Sequence, residues 1–302
     1  MASSREQHRP GLELLRGLAA LAVCVGHVRA FLLPPWRSGG YEWWEQGLYF
    51  LSAQGEAAVW IFLVLSGYLV GGSVLHRRAA GTWSWPDYLL RRGTRLWVVL
   101  IPALALTFLC DAWRGPAPVV SAGAMATDVV FRHDLPTLVG NLCFLQDVVV
   151  APYGSNTPLW SLAYEAWFYV LFPVVLVSCG DGPRGRRSGA ALCALGILWL
   201  LGPRGWWLAL PWLAGAALAR REQRRPGQGS ACPRPLPWLG LVAVLTLVTG
   251  LLGSLAKSNA AVQVIVTATA NITTLLLAVT LIRQGLAENL LRPYVYGALV
   301  FL

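Results

Sequence analysis

Long apolar runs alternate with short polar segments along the whole chain. Several runs reach the roughly 20 residues that a helix needs to cross a bilayer. The runs lie at residues 11–33, 47–75, 95–113, 158–179, 189–201, 205–219, 236–255 and 261–282. The pattern predicts an all-α protein, a polytopic transmembrane helix bundle that forms a single integral-membrane domain over residues 1–302.

Two of these runs are short for spans. Residues 189–201 and 205–219 are separated by Gly202, Pro203 and Arg204. Short apolar segments are accommodated by tilting or by local thinning of the bilayer. We therefore expect a thin or tilted hairpin with its break at these three residues.

Composition agrees with a membrane protein and gives no indication of a disulfide framework or a metal site. Of the 302 residues, 56% are apolar and 13% are charged, and the mean hydropathy is +0.55. The first run is too long and too polar for a cleaved signal peptide, so we predict a retained span. The six Cys residues show no disulfide or metal-ligand spacing, and no metal site is expected.

The net charge of +10 is explained by membrane topology. A cytoplasmic N-terminus places 17 of the 24 Lys and Arg residues in inner segments and five in outer loops. This distribution satisfies the positive-inside rule. Because there is no separate basic domain, nucleic acid is not expected as a partner. We predict a multi-pass protein of the inner (cytoplasmic) membrane with its N-terminus in the cytoplasm.

Residues 135–150 are apolar but are not predicted to cross the membrane. The segment includes Asn141, Gln146 and Asp147. A crossing here would reverse every later loop and lower the inner count of basic residues from 17 to nine. Polar or irregular backbone at membrane depth is tolerated where it is buried in protein or wet. We therefore expect an outer half-helix.

Ionisable side chains within the spans are candidate functional groups, because burying a charge in hydrocarbon is costly. Arg16 and His27 are 11 residues apart in the first run, which places them on one helix face about 16 Å apart along the axis. Alternatively, Arg16 snorkels to the headgroups and His27 packs between helices. Glu165 lies at a depth similar to that of His27, about 10 Å from the outer surface, so the two can face each other.

A histidine beside a buried carboxylate is a candidate general base, because the carboxylate fixes the imidazole tautomer and favours its protonated form. A nucleophile would have to come from Ser66 or Ser161. Neither stands in a nucleophile elbow, and both are more typical of helix packing. The sequence leaves the roles of Glu13 and Glu56 open.

Three arginines stand at the cytoplasmic start of the third run: Arg91, Arg92 and Arg95. One interpretation is an anchor that obeys the positive-inside rule. The other is a clamp for phosphate or pyrophosphate, because guanidinium groups match phosphate oxygens. Arg16 enters the membrane from the same side.

Four stretches resemble, in order, the acyltransferase-3 family of integral-membrane O-acyltransferases, which acylate envelope polysaccharides and other secreted glycans. They are RGLAALAVCVGH with Arg16 and His27, FLVLSGYLV with Ser66, RRGTRL with Arg92 and Arg95, and PLWSLAYEAWFYVLFP with Glu165. The resemblance covers residues 12 to 173. It implies a bundle of about ten helices, so we expect eight to ten spans with one outer half-helix.

The resemblance also implies the roles of the site residues. His27 becomes the essential histidine, and Glu165 becomes its catalytic partner. The residues that it implies for binding the donor are Arg16, Arg92 and Arg95. Ser66, from the second matching stretch, is predicted to bind the donor with them. The implied donor is cytoplasmic acyl-CoA, with acetyl-CoA as the default, acting as a substrate and not as a permanently bound cofactor. The implied acceptor is a carbohydrate hydroxyl.

Three features depart from the family pattern. Trp97 follows the arginine motif where a proline is usual, and Ala166 stands beside Glu165 where an acidic or polar residue is usual. The chain stops at Leu302, too soon after Pro293 for another span, which predicts an incomplete final helix.

The sequence therefore predicts an acyltransferase and leaves two alternatives. One is an accessory subunit that binds acyl-CoA without catalysis. The other is a proton-coupled transporter or flippase, because intramembrane ionisable residues also form relays. Its relay residues would be Glu13, Arg16, His27, Glu56 and Glu165. The acceptor, the acyl chain length and the oligomeric state are not defined by the sequence.

Overall fold

The structure is a computed structural model that describes residues 10–32, 42, 44, 45, 47, 55–114 and 132–224. Within these ranges β pairing is limited to an isolated bridge between Gln146 and Val150. The helical elements are α1 (Pro10–Leu32), α2 (Gly55–Ser66), a π-helical segment (Gly67–Gly71), α3 (Gly72–Ala79), α4 (Trp85–Arg114), α5 (Leu135–Leu142), a 3-10 turn (Thr157–Leu159), α6 (Trp160–Ser178) and α7 (Arg184–Arg224). The predicted all-α fold is confirmed.

Four helical stretches are long and apolar enough to cross a membrane. They are Ala58–Ala79, Trp85–Trp113, Thr157–Ser178 and Arg184–Arg224. Large side chains stand exposed on them, with Trp113 at 93% and Trp199 at 82% exposure. Such apolar surface is suited to lipid and not to water. The chain is therefore a membrane protein, and the predicted runs 236–255 and 261–282 and the final helix lie outside the described residues.

Residues 135–150 do not form a span, as predicted. Helix α5 begins after Asp134, whose carboxylate accepts the N–H of Thr137 at 2.8 Å and caps the helix. The helix ends after eight residues, about 12 Å, which is under half the thickness of the hydrocarbon core. The segment is thus a half-helix, and its placement on the outer side stays a prediction.

Helix α7 is broken where the sequence predicted a break. Gly202 has φ 61° and ψ −171°, a conformation that glycine adopts readily because it lacks a Cβ. The two helical parts on either side correspond to the short runs 189–201 and 205–219. Pro203 and Arg204 follow directly and begin the second part.

The first of two compact units contains α1 up to Gly26, α2 with the start of the π-helical segment, and α7 from Pro211. Close backbone packing joins α2 to α7. A methyl group added at Gly67 would collide with the backbone carbonyl of Trp212, and one added at Gly215 with that of Val64. The buried core of this unit consists of Leu12, Val64, Leu65, Tyr68, Leu218 and Ala219.

The second unit contains the chain from Val70 to Leu210 and the end of α1 from His27. Within it, α4 packs against both α5 and α6. Two indole N–H groups fix the turn after α5. Trp97 donates to the carbonyl of Leu142 at 3.0 Å, and Trp167 donates to the carbonyl of Phe144 at 2.9 Å. Four of the residues predicted for the site belong to this unit: His27, Arg92, Arg95 and Glu165.

Candidate active site

The carboxylate of Glu165 is held by a tyrosine of its own helix. Tyr169 lies one turn further along α6, and its hydroxyl donates to Glu165 Oε1 at 2.6 Å. Residues four apart share a helix face, which makes this contact possible. Glu165 is half-buried, so it stays partly accessible to a ligand.

A proline explains why the same tyrosine is tied to α4. Pro173 has no N–H, so the carbonyl of Tyr169, four residues earlier, loses its normal helical donor. The hydroxyl of Tyr88 in α4 donates to this carbonyl at 2.8 Å. Tyr88 is only 3% exposed, so the bond is shielded from water. The proline thus creates an acceptor that fixes α6 against α4.

Arg92 joins this arrangement through its guanidinium group. The guanidinium carbon lies 5.9 Å from the ring centroid of Tyr88 and 5.9 Å from that of Tyr169. Both distances suit cation–π attraction. The structure therefore places two predicted site residues, Arg92 and Glu165, near the same side chain, Tyr169.

The other arginines of the motif are placed differently. Arg91 donates to Asp87 at 2.8 Å, and Arg77 donates to the same carboxylate at 2.7 Å. Arg91 is therefore engaged in a surface ion pair at the start of α4. Arg95 is exposed and makes no hydrogen bond or ion pair within the described ranges. Its fork is available to an anion.

His27 is half-buried near the end of α1. No hydrogen bond or ion pair links it to Glu165 within the part of the chain that the structure describes, where the carboxylate is bonded by Tyr169 instead. The proposed pairing of histidine and carboxylate therefore stays a prediction. Among the other candidates, Arg16 lies half-buried in the first unit, and the side chains of Glu13 and Glu56 are not described.

The two candidate serines make helix contacts. Ser66, in the first unit, is buried and accepts the indole N–H of Trp212 at 3.3 Å. Ser66 ends α2, directly before the π-helical segment. Such segments are frequent at functional sites. Ser161 donates to the carbonyl of Pro158 at 3.4 Å, at the start of α6. These contacts favour packing roles for both, and the predicted role of Ser66 in donor binding stays a prediction.

Two residues that sequence reasoning did not assign to the site are Tyr88 and Tyr169. Tyr169 was visible as part of the fourth matching stretch, but its role was not. The spacing of Tyr169 and Pro173 was the available signal, because it predicts an unsatisfied carbonyl. The donor, Tyr88, comes from a different helix, which no local pattern identifies.

A membrane helix bundle with a carboxylate, a phenol and a guanidinium group in contact has an intramembrane polar site, the feature expected of membrane enzymes and transporters. The comparison with protein families distinguishes between these classes. The family described as "Acyltransferase domain" matches residues 9–297, so the chain belongs to that family.

Three curated relatives have similar sequences. Putative O-acetyltransferase SAS0844 of Staphylococcus aureus (strain MSSA476) is 28% identical over 182 residues, 57% of this chain and 25% of the relative. Putative peptidoglycan O-acetyltransferase YrhL of Bacillus subtilis (strain 168) is 27% identical over 209 residues, 66% of this chain and 28% of the relative. The O-acetyl transferase of Shigella phage Sf6 is 26% identical over 169 residues, 55% of this chain and 46% of the relative.

These matches cover only part of each relative. The chain spans about a quarter of the length of the Staphylococcus and Bacillus proteins and under half of the phage protein. No solved structure matches the chain. The family match does not support the transporter alternative.

Proposed function

We propose that the protein transfers an acetyl group from cytoplasmic acetyl-CoA to a hydroxyl of an envelope glycan. The family match and the names of the relatives, one of them a peptidoglycan O-acetyltransferase, support this proposal. The structural observation that carries it is the contact of Tyr169 with both Arg92 and Glu165. An anion-binding group and a carboxylate at one position are what a CoA thioester and a hydroxyl acceptor require.

In the proposed reaction Arg92 and Arg95 bind phosphate groups of the donor, and the predicted role of Arg16 in donor binding stays a prediction. Guanidinium groups suit this role because they match phosphate oxygens in pairs. Arg92 is held by the two tyrosine rings, so its position is set before the donor arrives. Pre-organisation of this kind lowers the entropic cost of binding.

The chemical step is assigned to His27. Its imidazole removes the proton of the acceptor hydroxyl, and the oxygen attacks the thioester carbonyl. The carbon–sulfur bond then breaks, the acetyl group stays on the acceptor oxygen, and the thiolate of CoA takes up the proton. Glu165 favours the protonated imidazole when the two side chains meet.

The test is the ester content of envelope glycans in cells that lack the gene and carry a plasmid copy. Mass spectrometry of the glycans should find an acetyl ester with the wild-type protein and none with His27→Ala. His76→Ala is the matched control, because His76 is an exposed histidine on α3 that was not predicted to be a site residue. Membrane insertion is checked by fractionation, and wild-type ester content with inserted His27→Ala would overturn the mechanism.

A second variant tests the donor side. Arg92→Lys keeps the charge but loses the planar fork and its ring contacts. In detergent-solubilised protein the KM for acetyl-CoA should rise about tenfold, equivalent to about 1.4 kcal/mol. Arg186→Lys, on the exposed start of α7, should leave the KM unchanged. Equal KM values for both variants would remove Arg92 from donor binding.

A further inference from the structure

The turn that follows α5 holds an unusual backbone conformation. Phe144 and Asp147 both have left-handed φ values, 56° and 63°, although neither is glycine. Such conformations persist where surrounding contacts hold them, and they are frequent at ligand sites. The indole N–H of Trp167 holds the carbonyl of Phe144, and the side-chain amide of Gln146 donates to the carbonyl of Leu159 at 3.0 Å. These two hydrogen bonds therefore fix the turn that carries Asp147.

Within the described ranges, only one oxygen of the Asp147 carboxylate accepts hydrogen bonds. Arg204 donates to its Oδ2 at 2.6 Å, and the hydroxyl of Tyr164 donates to the same oxygen at 3.3 Å. Within the described ranges Oδ1 accepts no hydrogen bond. The Asp147 side chain is 27% exposed, so it is partly accessible to a ligand hydroxyl.

Arg204 is placed by an aromatic surface. Its guanidinium carbon lies 4.2 Å from the ring centroid of Trp160 and 6.0 Å from that of Tyr164. Stacking fixes the guanidinium plane, and only Nη1 has a hydrogen-bond partner within the described part of the chain. The side chain is 51% exposed. Its remaining N–H groups are therefore oriented donors.

The residue before Asp147 in the sequence has a buried acceptor. Gln146 is fully buried, and its Oε1 accepts no hydrogen bond from the residues that the structure describes. Buried polar atoms are nearly always satisfied, by protein, water or ligand. Gln146, which carries this unsatisfied acceptor, directly precedes Asp147 in the sequence.

The chemistry of this cluster suits a sugar. The charges of Asp147 and Arg204 balance, which favours a ligand with hydroxyls over a charged one. A saccharide hydroxyl both donates and accepts, so adjacent hydroxyls can bond to the free carboxylate oxygen and to the free guanidinium N–H groups. The apolar C–H face of a sugar ring suits the face of an aromatic ring, and Trp160 is the half-buried aromatic side chain of this cluster.

We propose that Asp147, Arg204, Trp160 and Tyr164 form the binding subsite for the carbohydrate acceptor. This rests on the proposed function for the reaction itself. Trp160 precedes Glu165 by five residues, about 7.5 Å along the axis of α6, and Tyr169 follows Glu165 by four residues, about 6 Å. In position along the axis of α6, Glu165 therefore lies between Trp160 of the acceptor cluster and Tyr169, which contacts Arg92.

Steady-state kinetics tests the role of the cluster in the purified, detergent-solubilised full chain. Asp147→Asn should raise the KM for the saccharide acceptor about tenfold, because a hydrogen bond to a charged group is lost, and should leave the KM for acetyl-CoA unchanged. Asp181→Asn, in the exposed turn after α6, is the matched control. An unchanged acceptor KM in well-folded Asp147→Asn would overturn the proposal.

A charge exchange separates binding from structure. The double variant Asp147→Arg with Arg204→Asp restores an ion pair but moves the carboxylate and the guanidinium group to each other's positions. If the pair only stabilises the turn, the double variant should recover the wild-type acceptor KM, and this outcome would overturn the proposal. If the pair binds the sugar, the acceptor KM should stay at least tenfold raised while the melting temperature recovers.

Direct binding distinguishes this inference from the proposed function. Isothermal titration uses two probes, the N-acetylglucosamine–N-acetylmuramic acid disaccharide and maltotriose. Binding of either by wild type and at least tenfold weaker binding by Asp147→Asn support the subsite, even if no acetyl transfer is detected, in which case only the proposed function fails. Binding of neither probe by wild type, or equal binding by the variant, would overturn the subsite.

Discussion

The hydroxyl of Tyr88 donates to the backbone carbonyl of Tyr169 at 2.8 Å, across the interface of α4 and α6. That carbonyl lacks its helical donor because Pro173 stands four residues later. The Tyr88 hydroxyl of α4 thus replaces the helical hydrogen-bond donor that Pro173 removes from α6. It also positions the tyrosine that contacts both Arg92 and Glu165.

A double-mutant cycle measures how strongly Tyr88 and Pro173 are coupled in the free energy of unfolding. Tyr88→Phe should destabilise the protein by about 1–3 kcal/mol, because it leaves a buried carbonyl unsatisfied. Pro173→Ala returns an N–H to that carbonyl, so Tyr88→Phe should cost clearly less in its presence. Thermal unfolding in detergent, followed by circular dichroism, gives both values. Equal costs in the two backgrounds would show that the two groups are not coupled.

Tyr169→Phe tests the bond to the carboxylate. The variant keeps the ring that faces Arg92 but loses the hydroxyl that holds Glu165, so we expect acetyl transfer to fall about ten- to hundredfold. The KM for acetyl-CoA should change little. Tyr153→Phe is the control, because the Tyr153 hydroxyl makes no hydrogen bond within the described residues and its backbone N–H, which the substitution keeps, donates to Asn141. Equal activity of the two variants would contradict the role of this bond.

The crossing of α2 and α7 should not tolerate a methyl group. Gly67→Ala would place its Cβ against the Trp212 carbonyl, and overpacking of this kind typically costs about 1–3 kcal/mol. Gly196→Ala, on α7, meets open space and should be neutral or stabilise by up to about 1 kcal/mol, because alanine favours helix. Gly67→Ala should therefore lower the melting temperature and Gly196→Ala should not, and an equal decrease in both variants would contradict the close approach.

The cap of α5 should show a pH dependence. The Thr137 N–H bond, with a further bond from the Thr137 side chain, lowers the pKa of Asp134 from its ordinary value. A lowered pKa means that the cap stabilises the fold above the unfolded pKa of about 3.9 and that this stabilisation is lost as pH falls through the folded pKa. The difference in melting temperature between wild type and Asp134→Ala should therefore shrink between pH 6 and pH 3. A constant difference would show that the charge of Asp134 does not contribute.

The sequence predicts the elements better than their mutual contacts. The break at Gly202 and the short helix that contains Asn141 follow from glycine, proline and polar residues at known positions. The depth predicted for His27 and Glu165 comes from counting residues along a helix, but the direction in which each side chain points around its helix depends on packing. This is why the structure has Glu165 bonded to Tyr169, a contact that depth alone could not predict.

The contacts around Asp147 and Tyr88 could not be predicted from the sequence for the same reason. Each joins residues far apart in the chain, as Asp147 and Arg204 or Tyr88 and Tyr169 do. Hydrophobic periodicity identifies which segments are helices, but it carries no information on which polar side chains of different helices meet. The sequence did identify Asp147 as a residue that needs protein or water around it, and the structure supplies its partners.

The π-helical segment Gly67–Gly71 also affects the helix that contains it. A π turn accommodates one more residue than an α turn, so the side chains after it are rotated by about 100° relative to an uninterrupted helix. Val64 before it and Val74 after it are both fully buried. A single-residue deletion at Leu69 should therefore be accommodated by conversion to regular α-helix, whereas the same deletion in the middle of α4 would rotate every later side chain away from its neighbours.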